Sequence, residues 1–490
     1  MEREMKNLCC LLLMSIMFIP NLVHAGLFED ALSGDEETSK IDTESGEEAD
    51  APSSSSGFAA SAGGFNFELN GYLRGDLYVG KMPDEEAAEV KSGFGEAALK
   101  LRVRKNPYGD AYGELRFRSG YESGEMKFVP DLREAYLNIY AGPFDFRLGH
   151  QIVVWGRADG FNPTDNLTPK DSSSRSPNED DRRIANFGLR TFLNLDPVRI
   201  EAVWMPFFRE SKLPDFPLSE NIVMREAVYP DTNLKNGTMA ARLHLETPSF
   251  DMSLSYLYGH SNTPALLLKE VDLSNGFPPT VGVALTAYRH QVIGFDFSAS
   301  VKDWFGLRGE AAYKRPWENS SNSYVPEQDI QYVLGIDREF ANGNASFILQ
   351  YIGKYVFDWQ KRETLEIPTD STQVPQALIM SFAASPENTI DKGIIAPKNS
   401  MIAGQTEEVQ HSVSLRLEGK FLHETLKLEA VGLLNISTLE WMLRPKLTYD
   451  ISDGFSFLVG GEIFMGPDDS FYGSIDEMQS AGYVEAIMYF

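Results

Sequence analysis

From residue 65 onward, apolar and polar side chains alternate with a period of two. Ala97, Leu99, Leu101 and Val103 share one phase, while Glu96, Lys100, Arg102 and Arg104 share the other. Such alternation is a strand with one apolar and one polar face. The pattern returns as Ile293, Phe295, Phe297 and Ala299 against Asp296, Ser298 and Ser300, and as Leu307, Gly309, Ala311 and Tyr313 against Arg308, Glu310 and Lys314. It predicts strands near 65–80, 91–105, 110–121, 131–142, 143–156, 184–195, 198–208, 238–247, 250–260, 288–301, 304–316, 329–340, 343–358, 409–420, 423–434, 438–451, 454–466 and 479–490, which is 18 in all.

Every second connection carries turn chemistry: Asn106 to Gly109, Gly142-Pro143, Asp196-Pro197, Pro248-Ser249, Asp303, Asn342-Gly343, Phe421-Leu422 and Ser452 to Gly454. The intervening set is mostly long: 157–183, 209–237, 261–287, 317–328 and 359–408. A soluble sandwich would bury the apolar face, whereas a membrane barrel shows it to lipid and keeps the polar face inside. Full charges of both signs on the polar phase favour the barrel. No run after residue 25 approaches the length of an apolar spanning helix. The predicted fold is all-β: a single transmembrane antiparallel up-and-down β-barrel of about 18 strands, with long outer loops and short periplasmic turns. A count of 16 stays open because the connection at 435–437 is short.

The ends of the chain sharpen this picture. Residues 1–25 have Arg3 and Lys6, an apolar run from Leu8 to Ile19, and Val23-His24-Ala25, the layout of a cleaved signal peptide. A lipoprotein signal around Cys9 or Cys10 is the rival, and those are the only cysteines. Residues 26–64 are acidic and Ser-rich and are expected to form a disordered periplasmic tether, or a tail for a basic partner. Over 490 residues the net charge is −27, which argues against a nucleic-acid partner. At the other end, Phe490 with Val484, Ala486 and Met488 at alternate positions resembles the last strand of Gram-negative outer-membrane proteins. The resemblance implies a signal read by the barrel-assembly machinery, and a location in the outer membrane in contact with its lipid.

Candidate chemistry follows from the phase of each residue. Lys100, Arg102, Arg104, Arg116, Arg118 and Arg147 are expected to form a basic ladder on the lumen wall, with Glu134, Glu429, Glu440 and Glu462 on other strands. Opposed rows would orient polar solutes, although lateral pairing would merely solvate the wall. Loop 157–183 resembles, in order, length and charge, the third outer loop of general porins, which narrows the lumen. Arg157, Asp159, Asp165 and Asp171 are its expected lining residues, with a plain surface loop as the alternative. The run from Gln151 to Arg157, followed by Asn162-Pro163 and Asp165, resembles a poorly characterised group of proteobacterial porin-like barrels with a W-G-R…N-P-x-D loop. The six tryptophans, from Trp155 to Trp441, are expected in an interfacial girdle, or less simply along a sugar path in the lumen. Loop 359–408 carries an apolar stretch, Ala377 to Phe382, suited to plugging the mouth, meeting a partner or covering the rim. Past residue 25, six histidines are scattered without HExxH spacing, no G-x-S-x-G context occurs, and no cofactor or metal is expected.

Three functions fit: a porin-like channel for small polar or charged solutes, a conduit working with a periplasmic protein partner, and a barrel enzyme. The first is the expectation carried forward.

Overall fold

A computed structural model describes residues 57–82, 87–122, 124–214, 221–274, 276–301, 304–318, 322–365, 367–368, 374–468 and 470–490. The expected signal peptide and residues 26–56 of the expected tether lie outside them. Eighteen antiparallel strands form the wall: β1 (Phe65–Lys81), β2 (Ala88–Lys105), β3 (Gly109–Glu122), β4 (Glu125–Ala141), β5 (Phe144–Gln151), β6 (Asn186–Leu195), β7 (Val198–Met205), β8 (Thr238–Thr247), β9 (Phe250–His260), β10 (Arg289–Val301), β11 (Phe305–Pro316), β12 (Asp329–Phe340), β13 (Ala345–Val356), β14 (Val409–Phe421), β15 (Leu426–Asn435), β16 (Glu440–Ser452), β17 (Phe455–Met465) and β18 (Ala481–Tyr489). Each pairs with its sequence neighbours, and β18 returns to β1 in the register Tyr72↔Tyr489 through Val79↔Gly482. Closure removes the open edge that a sheet of this width would otherwise present.

The partition is inside-out. Leu73, Leu99, Leu101, Leu137, Ile200, Leu254, Ile293 and Leu334 are exposed, while Arg74, Glu96, Glu114, Arg190, Glu201, Arg242, Asp296 and Glu310 are buried. In water the outward belt would be an unsustainable apolar surface; in hydrocarbon it costs nothing, and the closed ladder satisfies every strand's backbone groups. The wall therefore spans a membrane, and the paired polar groups fill its interior.

Strand ends depart from expectation in three places. Strand β4 begins at Glu125, because Glu122 pairs with Glu125 in a tight hairpin where a longer connection was expected. Strand β5 stops at Gln151, since the chain leaves the wall there. Residues Phe58–Ala62, assigned to the flexible tether, form a strand paired with Phe65–Leu69. That pairing occupies the edge of β1 beyond the reach of β18. At the chain end, Phe490 extends the β18–β1 ladder: Gly71 N–H donates to Phe490 O at 2.8 Å, and Phe490 N–H to Gly71 O at 3.0 Å. Gly71 leaves room for the Phe490 ring, which a Cβ there would meet at 2.9 Å.

The long loops fold on one another. Helix α1 (Gln376–Ala384), the turns at Pro386–Ile390 and Asp391–Ile395, and helix α2 (Ala396–Ile402) come from loop 359–408. They pack against a three-stranded sheet of Ile222–Met224, Ala265–Asp272 and Thr280–Thr286 from loops 209–237 and 261–287. Leu378, Phe382, Ile390, Ile394 and Ile395 share one apolar core with Leu266, Val281 and Val283. Asn399 fastens the join: its Oδ1 accepts from Leu266 N at 2.7 Å and its Nδ2 donates to Leu266 O at 2.8 Å. Of the uses open to the Ala377–Phe382 stretch, covering the rim is the one this packing matches.

Candidate functional site: a loop inside the barrel

After Gln151 the chain turns into the lumen. Ile152 to Trp155 are buried there, and Val153, Trp155 and Leu167 cluster with the inward Val203, Met205, Ala240, Leu257, Val292 and Ala312 of β7 to β11. Here an apolar patch of wall meets an apolar segment of loop, so water is excluded from that side of the bore. Trp155 is 1% exposed, which removes it from any interfacial girdle. Trp304 and Trp317, 69% and 60% exposed at the two ends of β11, are placed as girdle residues should be.

Glu310 on β11 anchors the near half of the loop. Its Oε1 accepts from the Arg157 and Ala158 N–H groups, the latter at 2.6 Å, and its Oε2 accepts from Thr164 Oγ1 at 2.9 Å. Gly156 makes this approach feasible: its φ is +116°, and a Cβ would stand 2.6 Å from Glu310 Oε1. Arg157 Nε reaches Asp296 Oδ1 of β10 at 2.9 Å, and Arg242 of β8 binds the same carboxylate at 2.9 Å. Asp159 crosses to Arg416 of β14 at 2.9 Å.

The far half is held by arginines of the opposite wall. Asp181 Oδ2 accepts from Arg74 NH1 of β1 at 2.6 Å, and its Oδ1 accepts from Arg116 NH1 of β3 at 2.7 Å. Ser176 Oγ adds a third bond at 2.6 Å. Burial alone would raise the Asp181 carboxyl, but Arg74 and Arg116 more than reverse this and hold it well below the usual carboxylate range. Arg133 of β4 donates to the carbonyls of Asp180, Asp181 and Arg183. Arg182 meets Glu462 of β17 at 2.9 Å, and Glu179 meets Arg444 of β16. Arg175 donates to Met478 O at 2.5 Å and Gln479 O at 3.0 Å, at the end of helix α3 (Phe471–Gln479). The loop therefore contacts strands around most of the circumference.

The expected loop residues divide by role. Arg157 and Asp159 touch the wall. Asp165 works within the loop, accepting from Arg183 NH1 at 2.7 Å, while Asp171 binds Lys212 of the next loop at 2.6 Å. Burial opposes ionisation of Asp171, yet bonds from Lys212 and Ser173 leave its carboxyl below the ordinary range. Lys100, Arg102, Arg104, Arg116, Arg118 and Arg147 all lie on the inward phase, half-buried or buried. They do not form an unmatched basic row. Arg104 pairs with Glu68 at 3.0 Å, Arg116 with Glu114 at 2.5 Å, Arg118 with Glu122, and Arg147 donates to Asn138 at 2.9 Å. Glu310, Asp296, Arg74, Arg133 and Asp181 are the anchors that sequence reasoning did not single out. Their inward phase was readable; which of them would meet a loop far away in sequence was not.

The loop covers one sector of wall only in part: Asp159 and Glu179 reach Arg416 and Arg444 there, yet the charged side chains stay accessible. On β14 to β16, Arg416, Glu429, Arg444 and Lys446 keep 32%, 22%, 21% and 26% of their side chains accessible. They form a mixed strip: Lys446 Nζ lies 3.0 Å and Arg416 NH1 3.7 Å from Glu429. By contrast, Arg190, Arg242, Glu201 and Asp296 on the covered sector are at most 4% accessible.

The sequence matches no protein-family model and no curated protein. Among solved structures, the chain is similar to OccAB3 of Acinetobacter baumannii at 10% identity and TM-score 0.49, covering 86% of this chain and 99% of that one. It is also similar to OpdL of Pseudomonas aeruginosa, at 11% identity and TM-score 0.47 over 86% and 98% of the two chains. The Pseudomonas aeruginosa outer membrane protein OpdK gives 10% identity and TM-score 0.47 over 86% and 98%.

Proposed function

We propose that the protein is an outer-membrane channel through which small polar or charged solutes diffuse along a water-filled strip beside the lumen loop. The observation that carries this reading is the partly covered sector of β14 to β16, where charged side chains remain accessible inside a closed wall although the loop touches Arg416 and Arg444. In this reading loop 157–183 is the constriction. The Trp155-Gly156-Arg157 segment and Thr164, which follows Asn162-Pro163, act as its foot, because they fit the apolar wall patch and the Glu310 carboxylate. The mixed strip presents both signs to a passing solute, which favours polar over apolar cargo. In this reading a cleaved signal delivers the chain and the Phe490 strand guides its assembly into the outer membrane of a Gram-negative cell. Planar-bilayer recording of the mature protein in a salt gradient tests the proposal. Discrete conductance steps with a defined reversal potential are expected. Folded protein that inserts and passes no current refutes it.

A barrel hydrolase is the second reading, and one arrangement favours it. Ser253 Oγ lies 3.3 Å from His244 Nδ1, and His244 Nε2 lies 3.2 Å from Glu201 Oε2. The order matches a nucleophile–base–acid relay. Against it, Ser253 is 1% exposed, so a substrate carbonyl has no approach. Glu201 also binds Arg190 at 2.6 Å and Trp155 Nε1 at 3.2 Å, as expected of a group that braces the wall against the loop. A fluorophosphonate probe is expected to leave the protein unlabelled; labelling that Ser253→Ala abolishes would establish the hydrolase.

A further inference from the structure

Beneath the loop-built cap, on the long-loop side of the buried 152–167 segment, lies a cavity of about 140 Å³. Its wall is the upper end of β10 to β12, with Tyr288, His290, Lys314 and Asp329, and its roof comes from residues 399–405. Asn166 of the lumen loop and Ser261 also line it.

The lining carries Lys314 and Arg362 against Glu327 and Asp329, and Lys354 of the neighbouring strand adds a further positive charge. Arg362 and Glu327 form a pair at 3.6 Å. The Asp329 carboxylate is occupied by two amides, Gln331 Nε2 at 3.1 Å and Gln405 Nε2 at 2.9 Å. Lys354, on the neighbouring strand, donates to the carbonyls of Ala403 and Gly404 at 2.9 Å. Lys314 stands directly opposite Asp329 in the β11–β12 register, yet among the described residues it forms no hydrogen bond or ion pair within 4 Å. The Nε2 atom of His290, a residue 5% exposed, also has no partner. Two lysines thus face one carboxylate that amides already serve, and a buried imidazole nitrogen is left beside them. Buried polar groups are normally satisfied, so an unmet ammonium and imidazole lining a hollow call for an acceptor from outside the chain.

We propose that this cavity is a binding site for a small oxyanion, a phosphate or a carboxylate, held by the Lys314 ammonium and by His290 Nε2. Tyr288 lines the same hollow and offers a neutral hydroxyl, while Ser261 Oγ is engaged in donating to Thr263 O at 3.2 Å. The next inward positions on the same two strands, Val292 and Ala312, belong to the apolar cluster around Trp155. An anion seated at Lys314 therefore has no polar continuation down that side of the wall. The site lies apart from the accessible strip of β14 to β16. It stands whether or not the barrel conducts.

Isothermal titration of the detergent-solubilised mature protein with inorganic phosphate, at fixed ionic strength, reads the site directly. Acetate forms the second arm and separates a phosphate ligand from a carboxylate one, with chloride as the control. Saturable one-to-one binding of phosphate or acetate is expected in the wild type. Lys314→Gln is expected to weaken it by at least about tenfold, the scale of one lost charge-assisted bond. Lys314→Arg, which keeps the charge, is expected to retain it. Fold integrity is followed by heat-modifiable gel mobility. No saturable binding of either anion to the wild type overturns the proposal, as does unchanged binding in folded Lys314→Gln or equal competition by chloride. Current without anion binding would leave the channel standing and remove this site; anion binding without current would do the reverse.

Discussion

Replacing Asp181 by Asn removes the charge that two arginines of the opposite wall share. Asp181 lies 2.6 Å from Arg74 and 2.7 Å from Arg116, and the side chains of Arg74 and Asp181 are 5% and 10% accessible. Removing one partner from a buried pair costs about 3–5 kcal/mol, mostly because the other charge is stranded. Here the lower end applies. Arg74 keeps Glu96 at 2.8 Å and Arg116 keeps Glu114 at 2.5 Å. A cost of about 3 kcal/mol shifts the equilibrium between docked and undocked loop roughly a hundredfold. Only the far half of the loop is affected, since Glu310 holds the near half independently. Single-channel recording is the assay: Asp181→Asn is expected to add frequent transitions to a higher conductance and to move selectivity toward anions. The pH dependence has a definite sign. A carboxyl depressed in the folded state contributes stability that is complete above its unfolded value, about 4, and is lost only as pH falls through the lower folded value. The contribution of Asp181 to loop docking is therefore expected to stay level from about pH 7 to about pH 4, so the difference between wild type and Asp181→Asn persists across that range. If folded Asp181→Asn matches the wild type in conductance, flicker and reversal potential, the latch is not where these distances place it.

Three further outcomes follow from the same geometry. Gly156→Ala forces a Cβ into a φ of +116° and against Glu310, a strain of about 1–3 kcal/mol, and hydrogen exchange over 152–165 is expected to rise. Leu334→Arg places a charge on the outward belt near the middle of β12, where Leu334 is 51% exposed; about 2–4 kcal/mol of stability is expected to disappear in urea unfolding from vesicles. Asn399→Ala loses bonds to Leu266 and Ser323, about 1–3 kcal/mol. Protease nicking within 359–408 is expected to rise while the barrel's heat-modifiable mobility stays unchanged.

The period of two was sufficient for the wall. Because successive strand side chains point to opposite faces, phase alone assigned Leu99 and Leu101 to lipid and Arg102 and Arg116 to the interior. Turn chemistry and the alternating loop lengths gave the strand count and direction for the same local reason. Where local pattern and tertiary contact competed, the pattern misled. The run through Trp155 is apolar enough to continue β5, yet it serves as the packing face of a loop inside the barrel.

Partnership is what the chain's own order left undetermined. Asp181 and Arg74 are 107 residues apart, and Ala158 and Glu310 are 152 apart. No local rule joins them; only closure of β18 onto β1 brings opposite walls within reach of one loop. The same closure turned an apparent basic ladder into paired charges, set the histidine and serine of β8 and β9 beyond the reach of solvent, and left Lys314 lining a hollow. A sequence fixes which face each side chain joins, because that depends on neighbours one and two residues away. Which charges meet depends on the curvature and register of the whole wall, which exist only once the barrel has closed.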